Sequence, residues 1–408
     1  MSDDRSPPLG IACVHEWLAE WGGSEDCVRL ILECYPQASL YATIDFLSQQ
    51  DRLRLGGRGI RTTFLQHAPW ARTRFWNYLP ITGFAVEGHD VSDAEMIISS
   101  SHAFAKGVLT RADQLHVSYV YSPMRYAWDL HQQYLRDYKL DRGVKGMLAR
   151  YMFHRLRRWD RHTANNVDLF MAISRHVQQR IWRTYRRPSK VIYPPVKTDR
   201  YRLQVQKEDH YVTVSRLVSY KRIGLMLEAF RSMPSRKLVV VGDGPEMPML
   251  KATCPPNVTL MGRQPDEVVE RQLQAAKAFL FAAHEDFGIS PLEAQACGTP
   301  VIAYGAGGSL ETVRALNIAP RPTGVFFAQQ SAASLAQAVA AFEAAGPVFD
   351  PYACREWAER FSEERFKREF TQCVDQAWSL WQRDPRQIED ALTDGPTGAG
   401  AAMGSALE

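Results

Sequence analysis

Glu285-Asp-Phe-Gly-Ile-Ser-Pro-Leu-Glu293-Ala-Gln-Ala-Cys-Gly298-Thr-Pro300 follows the apolar run 278–282 and leads into a second apolar run, 300–304. A strand, a loop and a helix are the expected local structure. Ser290 would cap a helix whose first residue is Pro291, with Glu293 three residues after the cap. The start of that helix offers unpaired N–H groups and a positive dipole end, suited to an oxygen-rich or anionic ligand. Gly288 lets backbone approach such a ligand, and Glu285 in the loop can accept hydrogen bonds from hydroxyls. Taken alone, Ser290-x-x-Glu293 is also a plain capping box and Glu285 a solvated loop acid. The whole string constrains more than a cap needs.

The same alternation extends in both directions. Short β-branched or apolar runs at 9–14, 39–43, 61–65, 95–99, 116–121 and 168–173 are separated by helical patterns. A second series follows at 210–215, 237–241, 257–261, 278–282, 300–304 and 324–327. Such alternation argues for βαβ units and parallel sheets. Between the two series lies Val191-Ile-Tyr-Pro-Pro-Val196, where adjacent prolines fit neither helix nor sheet interior. The reading is two doubly wound Rossmann-like α/β domains, 1–195 and 196–382. An amphipathic segment from about Cys354 to Trp381 could pack against either domain and is assigned as the helix closing the second, and a Gly/Ala-rich disordered tail spans 383–408. Open parallel sheets bind ligands off the carboxyl ends of their strands, so the expected site is an interdomain cleft.

Composition agrees with a globular chain of this size. The 408 residues are 45% hydrophobic and 23% charged, which excludes disordered, collagen-like and disulfide-scaffold classes. A net charge of +4 is too small to argue for nucleic acid. The seven cysteines show no C-x-x-C spacing and read as reduced thiols of a cytoplasmic protein. No run reaches the roughly 18 apolar residues of a membrane span. The first residues lack a basic-then-apolar leader, so a cytoplasmic location is expected.

The Glu285–Glu293 string resembles glycosyltransferase family 4, the retaining, nucleotide-sugar-dependent enzymes of GT-B fold. The resemblance implies that Glu285 contacts donor-sugar hydroxyls beside backbone N–H groups of Phe287, Gly288 and Ile289, and that Glu293 holds the ribose. Val214-Ser-Arg216-Leu-Val-Ser-Tyr-Lys221-Arg222 resembles the family's G-R-L-x-x-x-K-G, with Ser215 at the first Gly and Arg222 at the last. A departing diphosphate develops negative charge, which a guanidinium and an ammonium would stabilise. Arg216 and Lys221 are thus catalytic candidates with Glu285. Gly22-Gly23 in Trp21-Gly-Gly-Ser-Glu25 resembles the family's G-G-A-E turn facing the diphosphate. Gly242 lies in a G-D-G-P turn, and Gly262-Arg263 stands where the family's main chain meets the base. Tyr304-Gly-Ala-Gly307-Gly308 would buttress the Glu285 loop.

Val120-Tyr-Ser122-Pro-Met-Arg125-Tyr-Ala-Trp128-Asp129 resembles a stretch in a subgroup that includes O-antigen mannosyltransferases, with Ser122 in place of its His. His102 fits the same subgroup. His102, Ser122 and Arg125 are the acceptor- or sugar-side candidates. Lys197 stands where Asp often follows the Pro-Pro-Val hinge. Residues 145–187 hold eleven Lys and Arg against Asp160 and Asp168. The part 145–161 is amphipathic, suited to an anionic membrane surface on the cytoplasmic face. A basic solvated face on a packed helix is the other reading.

The resemblance implies transfer of a hexose, mannose from GDP-mannose by subgroup, to a lipid-linked saccharide in cell-surface polysaccharide assembly. No Asp-x-Asp and no metal-ligand spacing occurs, so neither metal nor other cofactor is expected. No nucleic-acid reader motif is present. The rival readings are an epimerase or phosphorylase of the same fold, or a non-catalytic protein binding membrane or polyanion.

Overall fold

Apolar runs marked out in the sequence become parallel strands; the inner ones are buried on both faces, which is why they read as continuous rather than alternating. The computed structural model describes Pro8 and residues 10–393. It divides into two units, one running to Tyr193 and resuming at Lys367, the other Pro194–Phe366.

The first unit's sheet has seven strands: β1 (Ile11–His15), β2 (Ser39–Ala42), β3 (Ile60–Thr62), β4 (Met96–Ser101), β5 (Leu115–Val120), β6 (Leu169–Ala172) and β7 (Lys190–Val191). Their order is β3-β2-β1-β4-β5-β6-β7, every pairing parallel. Leu9 lies outside the described residues. The strand expected over 61–65 is shorter, and Phe64–His67 forms a 3-10 turn in which the Thr63 hydroxyl accepts from the Leu65 N–H. β7 was not expected. Two residues ahead of a double proline carry no periodic signal.

The second unit's sheet has six strands: β8 (Glu208–Val214), β9 (Leu238–Val241), β10 (Val258–Gly262), β11 (Ala276–Phe281), β12 (Val301–Tyr304) and β13 (Gly324–Phe327). Their order is β10-β9-β8-β11-β12-β13, again all parallel. Successive residues of one strand enter opposite layers. Tyr211 and Leu280 join Phe230 and Leu238, whereas Val212 and Phe279 join Val301 and Ala294. Truncating Leu280 to alanine in so filled a layer costs about 2–5 kcal/mol.

The C-terminal segment departs from expectation. It forms two helices, Pro351–Glu359 and Glu363–Trp381. From Lys367 onward the second belongs to the first unit rather than closing the second. The Lys367 ammonium meets Glu33 at 2.6 Å, and the Phe370 ring lies 5.9 Å from Tyr119. Nor is 383–393 an unstructured tail: Pro385–Gln387 turns into the helix Ile388–Leu392, and Glu389 pairs with Arg187 at 2.5 Å. The remainder of the expected tail, 394–408, lies outside the described residues. All seven cysteines are free. Among the described residues no single helix is long and apolar enough to cross a membrane.

Candidate functional site

Every candidate residue lies on a loop or helix start at the carboxyl end of a strand, and the two units are built differently there. In the second unit, β8 ends at Val214, and the chain turns through Ser219–Lys221 into the helix Ile223–Arg231. Arg216 is exposed on this turn. Arg222, in the position of the family's last Gly, is held at φ 58°, the left-handed region that glycine adopts without cost. The half-buried Lys221 ammonium sits on Oε1 of Glu285 and lies 5.7 Å from the Tyr220 ring. The structure therefore brings two of the three catalytic candidates into one ion pair.

The loop after β11 is clamped from β12. Glu285 and Gly307 form a bridge, and the Gly308 N–H donates to the Glu285 carbonyl at 2.8 Å. A Cβ on Gly307 would stand 2.3 Å from that carbonyl oxygen, so the close approach requires glycine. The expected buttress is real. The helix that follows spans Ile289–Ala296, with Gly288 at φ 94° as its cap residue and no side-chain cap. Ser290 is therefore not the cap: it lies inside the first turn. Pro291 is tolerated at the third helical position because the N–H it lacks would have had no partner there.

Glu293 lies one turn into this helix, half-buried. The Tyr201 hydroxyl hydrogen-bonds it; burial first, then the Glu293 charge, push that hydroxyl far above its ordinary range. Arg200 also lies within electrostatic reach of Glu293. Neither residue was singled out in the sequence, because the stretch after Pro194-Pro195 is polar and without periodicity. Gly242, at φ 137°, donates its N–H to Gly262 at 2.9 Å. A Cβ there would meet the Ser215 carbonyl oxygen at 1.8 Å. The turns after β8, β9 and β10 are thus tied together, with Arg263 exposed beside them.

In the first unit the polar groups are turned inward. Gly22 caps the helix Gly23–Cys34 in an extended conformation. Behind it runs a buried chain: His15 Nδ1 to Ser100 at 3.0 Å, His15 Nε2 to Glu25 at 3.3 Å, and Ser100 to the Tyr121 hydroxyl at 2.9 Å. The Ser24 hydroxyl closes it by donating to Glu25 at 2.9 Å. Burial pushes the Glu25 pKa up, but the His15 hydrogen bond and charge outweigh it and hold the carboxyl below its ordinary value.

Glu16 was missed altogether. Fully buried, it accepts from the backbone N–H groups of His102, Ala103, Phe104 and Ala105 at 2.7–3.1 Å and from the Ser101 hydroxyl at 3.0 Å. Burial raises its pKa; His102 and these N–H groups more than reverse that. No spacing rule relates residue 16 to 102–105, because the contact crosses the sheet from β1 to β4. His102 stacks edge-on against Trp17 at 4.7 Å, and burial, opposed by the Glu16 charge, holds its pKa down. Arg125 is close enough to His102 to depress it further. Ser122 is committed internally: it accepts from Arg180 at 2.8 Å and donates to the Pro123 carbonyl at 2.7 Å. Arg180 in turn pairs with Asp129 at 2.5 Å.

Among the described residues no three His, Cys, Asp or Glu side chains gather as a metal site. Residues 197–362 match the family model described as Glycosyl transferases group 1. The match lies wholly within the second unit, Pro194–Phe366. D-inositol 3-phosphate glycosyltransferase of Segniliparus rotundus is 36% identical over 96 residues, 21% of this chain and 21% of that protein. A Corynebacterium glutamicum relative is 36% identical over 114 residues, 24% of this chain and 30% of its own length. It is the GDP-mannose-dependent monoacylated alpha-(1-6)-phosphatidylinositol monomannoside mannosyltransferase. The chain thus spans less than a third of either curated relative. Anabaena HepE, solved in complex with UDP, superimposes with a TM-score of 0.65 at 16% identity over 90% of this chain and 99% of that one. Two parallel-sheet Rossmann-like units with this likeness are the GT-B fold.

Proposed function

We propose that the chain transfers a hexose from a nucleoside diphosphate sugar to a saccharide acceptor, with retention at the anomeric carbon and without a metal. The observation that carries the reading is the Lys221–Glu285 pair at the carboxyl edge of the group 1 domain, next to the uncapped helix start at Ile289. In this reading the donor competes for both members. Its diphosphate takes Lys221, Arg216 and the N–H groups of 287–289, and its sugar hydroxyls take Glu285. Glu293, oriented by Tyr201, holds the ribose, and the turns at Gly242 and Arg263 meet the base. Gly22, Gly23, His102 and Arg125 serve the first unit's side of the reaction. The bond from the anomeric carbon to the phosphate oxygen breaks, the bond to the acceptor oxygen forms on the same face, and the acceptor proton passes to the departing phosphate oxygen.

Mannose from GDP-mannose is the first donor to try. The subgroup-like stretch around Arg125 and the name of the Corynebacterium relative support it, whereas HepE holds UDP. A lipid-linked acceptor used at the cytoplasmic face is part of the same reading. The test is product analysis with each nucleotide sugar, with and without acceptor and with EDTA. Transfer that needs an acceptor, survives EDTA and is lost in Glu285→Ala is the expected result. Conversion of donor without acceptor would favour an epimerase instead.

A further inference from the structure

The 21-residue helix Gly143–Thr163 buries only Gly146, Leu156, Asp160 and Thr163. Its C-terminal half is anchored. Asp160 receives the buried Lys106 ammonium, the Trp128 indole at 2.7 Å and the Tyr185 hydroxyl at 3.0 Å, and the Trp159 indole donates to Glu87 at 2.6 Å. Its N-terminal half turns apolar side chains to solvent. Val144, Met147, Leu148 and Tyr151 are 77%, 68%, 60% and 55% exposed. Their i, i+3, i+4, i+7 spacing puts them on one stripe, the kind a surface helix normally buries. Tyr138, just before the helix, is equally bare. Lys139, Arg142, Lys145, Arg150, Arg155 and Arg158, all exposed, lie before, beside and beyond the stripe, with Arg142 paired to Asp141 at 3.6 Å. The helix's one acid is the buried Asp160, and Lys145, Arg155 and Arg158 make no ion pair among the described residues.

We propose that this stripe docks on an anionic lipid surface, with Val144, Met147, Leu148 and Tyr151 at the headgroup–acyl boundary and the cations on lipid phosphates. Charge selects the occupant. Two-fold pairing with a second copy would set the same cations against one another, and an uncharged apolar partner would leave them without counter-charge. Nucleic acid offers charge but nothing for Met147 and Leu148 to enter. The surface is narrower than the basic run of the sequence suggests, because Arg180 and Arg187 are tied to Asp129 and Glu389. The docking is separable from glycosyl transfer: a chain that never touches lipid could still glycosylate a soluble acceptor.

The experiment is vesicle flotation of the full chain, with phosphatidylcholine alone and with phosphatidylcholine plus phosphatidylglycerol. Two double variants are compared, Met147→Asp with Leu148→Asp, and Lys145→Glu with Arg155→Glu. All four positions are exposed, so melting should not change. Flotation is expected only with the anionic lipid. Each double variant should lower it at least about tenfold, since one cation near such a surface is worth about fivefold. The proposal is overturned by no flotation of the wild type, by undiminished flotation of the aspartate variant, or by sedimentation showing a dimer that the aspartate variant abolishes. Loss of flotation in Trp70→Ala with Phe84→Ala, with the helix variants unaffected, would also overturn it by placing the contact on another exposed segment.

Discussion

The carboxyl ends of the two sheets carry similar residue types and use them in opposite ways. At the first unit's edge, Glu16, Glu25, His15 and Ser122 are buried and hydrogen-bonded to the protein itself. Their work is to fix the loops bearing Gly22, His102 and Arg125. At the second unit's edge, Arg216 and Arg263 are exposed, and the partly buried Lys221 and Glu285 side chains form an ion pair. A carboxylate that takes several backbone N–H groups is a structural strut; one paired with a single partly buried lysine remains open to exchange. The contrast separates residues that build a site from residues that meet its ligand, although both sets look equally polar in the sequence.

The sharpest way to break this comparison is to remove one acid from each edge. Glu285→Ala should lower sugar transfer by about 10²–10³, the effect of losing one transition-state contact, while the urea midpoint stays near wild type. Glu16→Gln should do the reverse. It turns an NH2 toward backbone donors and should cost about 3 kcal/mol of stability, read from urea unfolding. If both variants lost activity without losing stability, the distinction would fail.

A pH series probes a buried histidine of the first unit. Burial pushes His116 down to about 4; it is held between Ser99 at 2.8 Å and the Asn166 carbonyl at 2.9 Å. The folded state therefore binds fewer protons than the unfolded state, whose histidine titrates near 6.5. Stability from this group is complete above about pH 6.5 and falls as pH drops toward 4, by on the order of 3 kcal/mol. Urea midpoints at several pH values check it, and His116→Gln should flatten the slope. Smaller effects belong to the second unit. Tyr201→Phe should weaken nucleotide binding by about 1 kcal/mol through loss of one hydrogen bond to Glu293. Arg222→Gly should raise stability by about 1 kcal/mol by relieving a left-handed arginine, seen as a higher urea midpoint.

Elements with a local signal were legible in the sequence. Strands buried on both faces read as apolar runs, the string from Glu285 to Pro300 located the loop and the helix, and the separate Tyr304–Gly308 stretch pointed to the buttress. What was missed depends on partners far along the chain. Glu16 meets residues 102–105 across the sheet, and Tyr201 reaches Glu293 from a stretch without periodicity. The helix start moved from Ser290 to Gly288 because glycine's freedom at φ 94° opened the turn earlier than the capping pattern allowed. The helix Glu363–Trp381 was expected to serve one domain, but amphipathicity shows which face is buried and not what buries it.

The central claim is that Lys221 and Glu285 form the donor site. Calorimetric titration of wild type and Lys221→Ala with GDP, UDP and dTDP, in EDTA, tests it most directly. One nucleotide should bind wild type clearly better than the others, and Lys221→Ala should bind that nucleotide at least about tenfold more weakly, as loss of a charged contact requires. Equal binding by the variant, or no binding of any nucleotide to wild type, would contradict it.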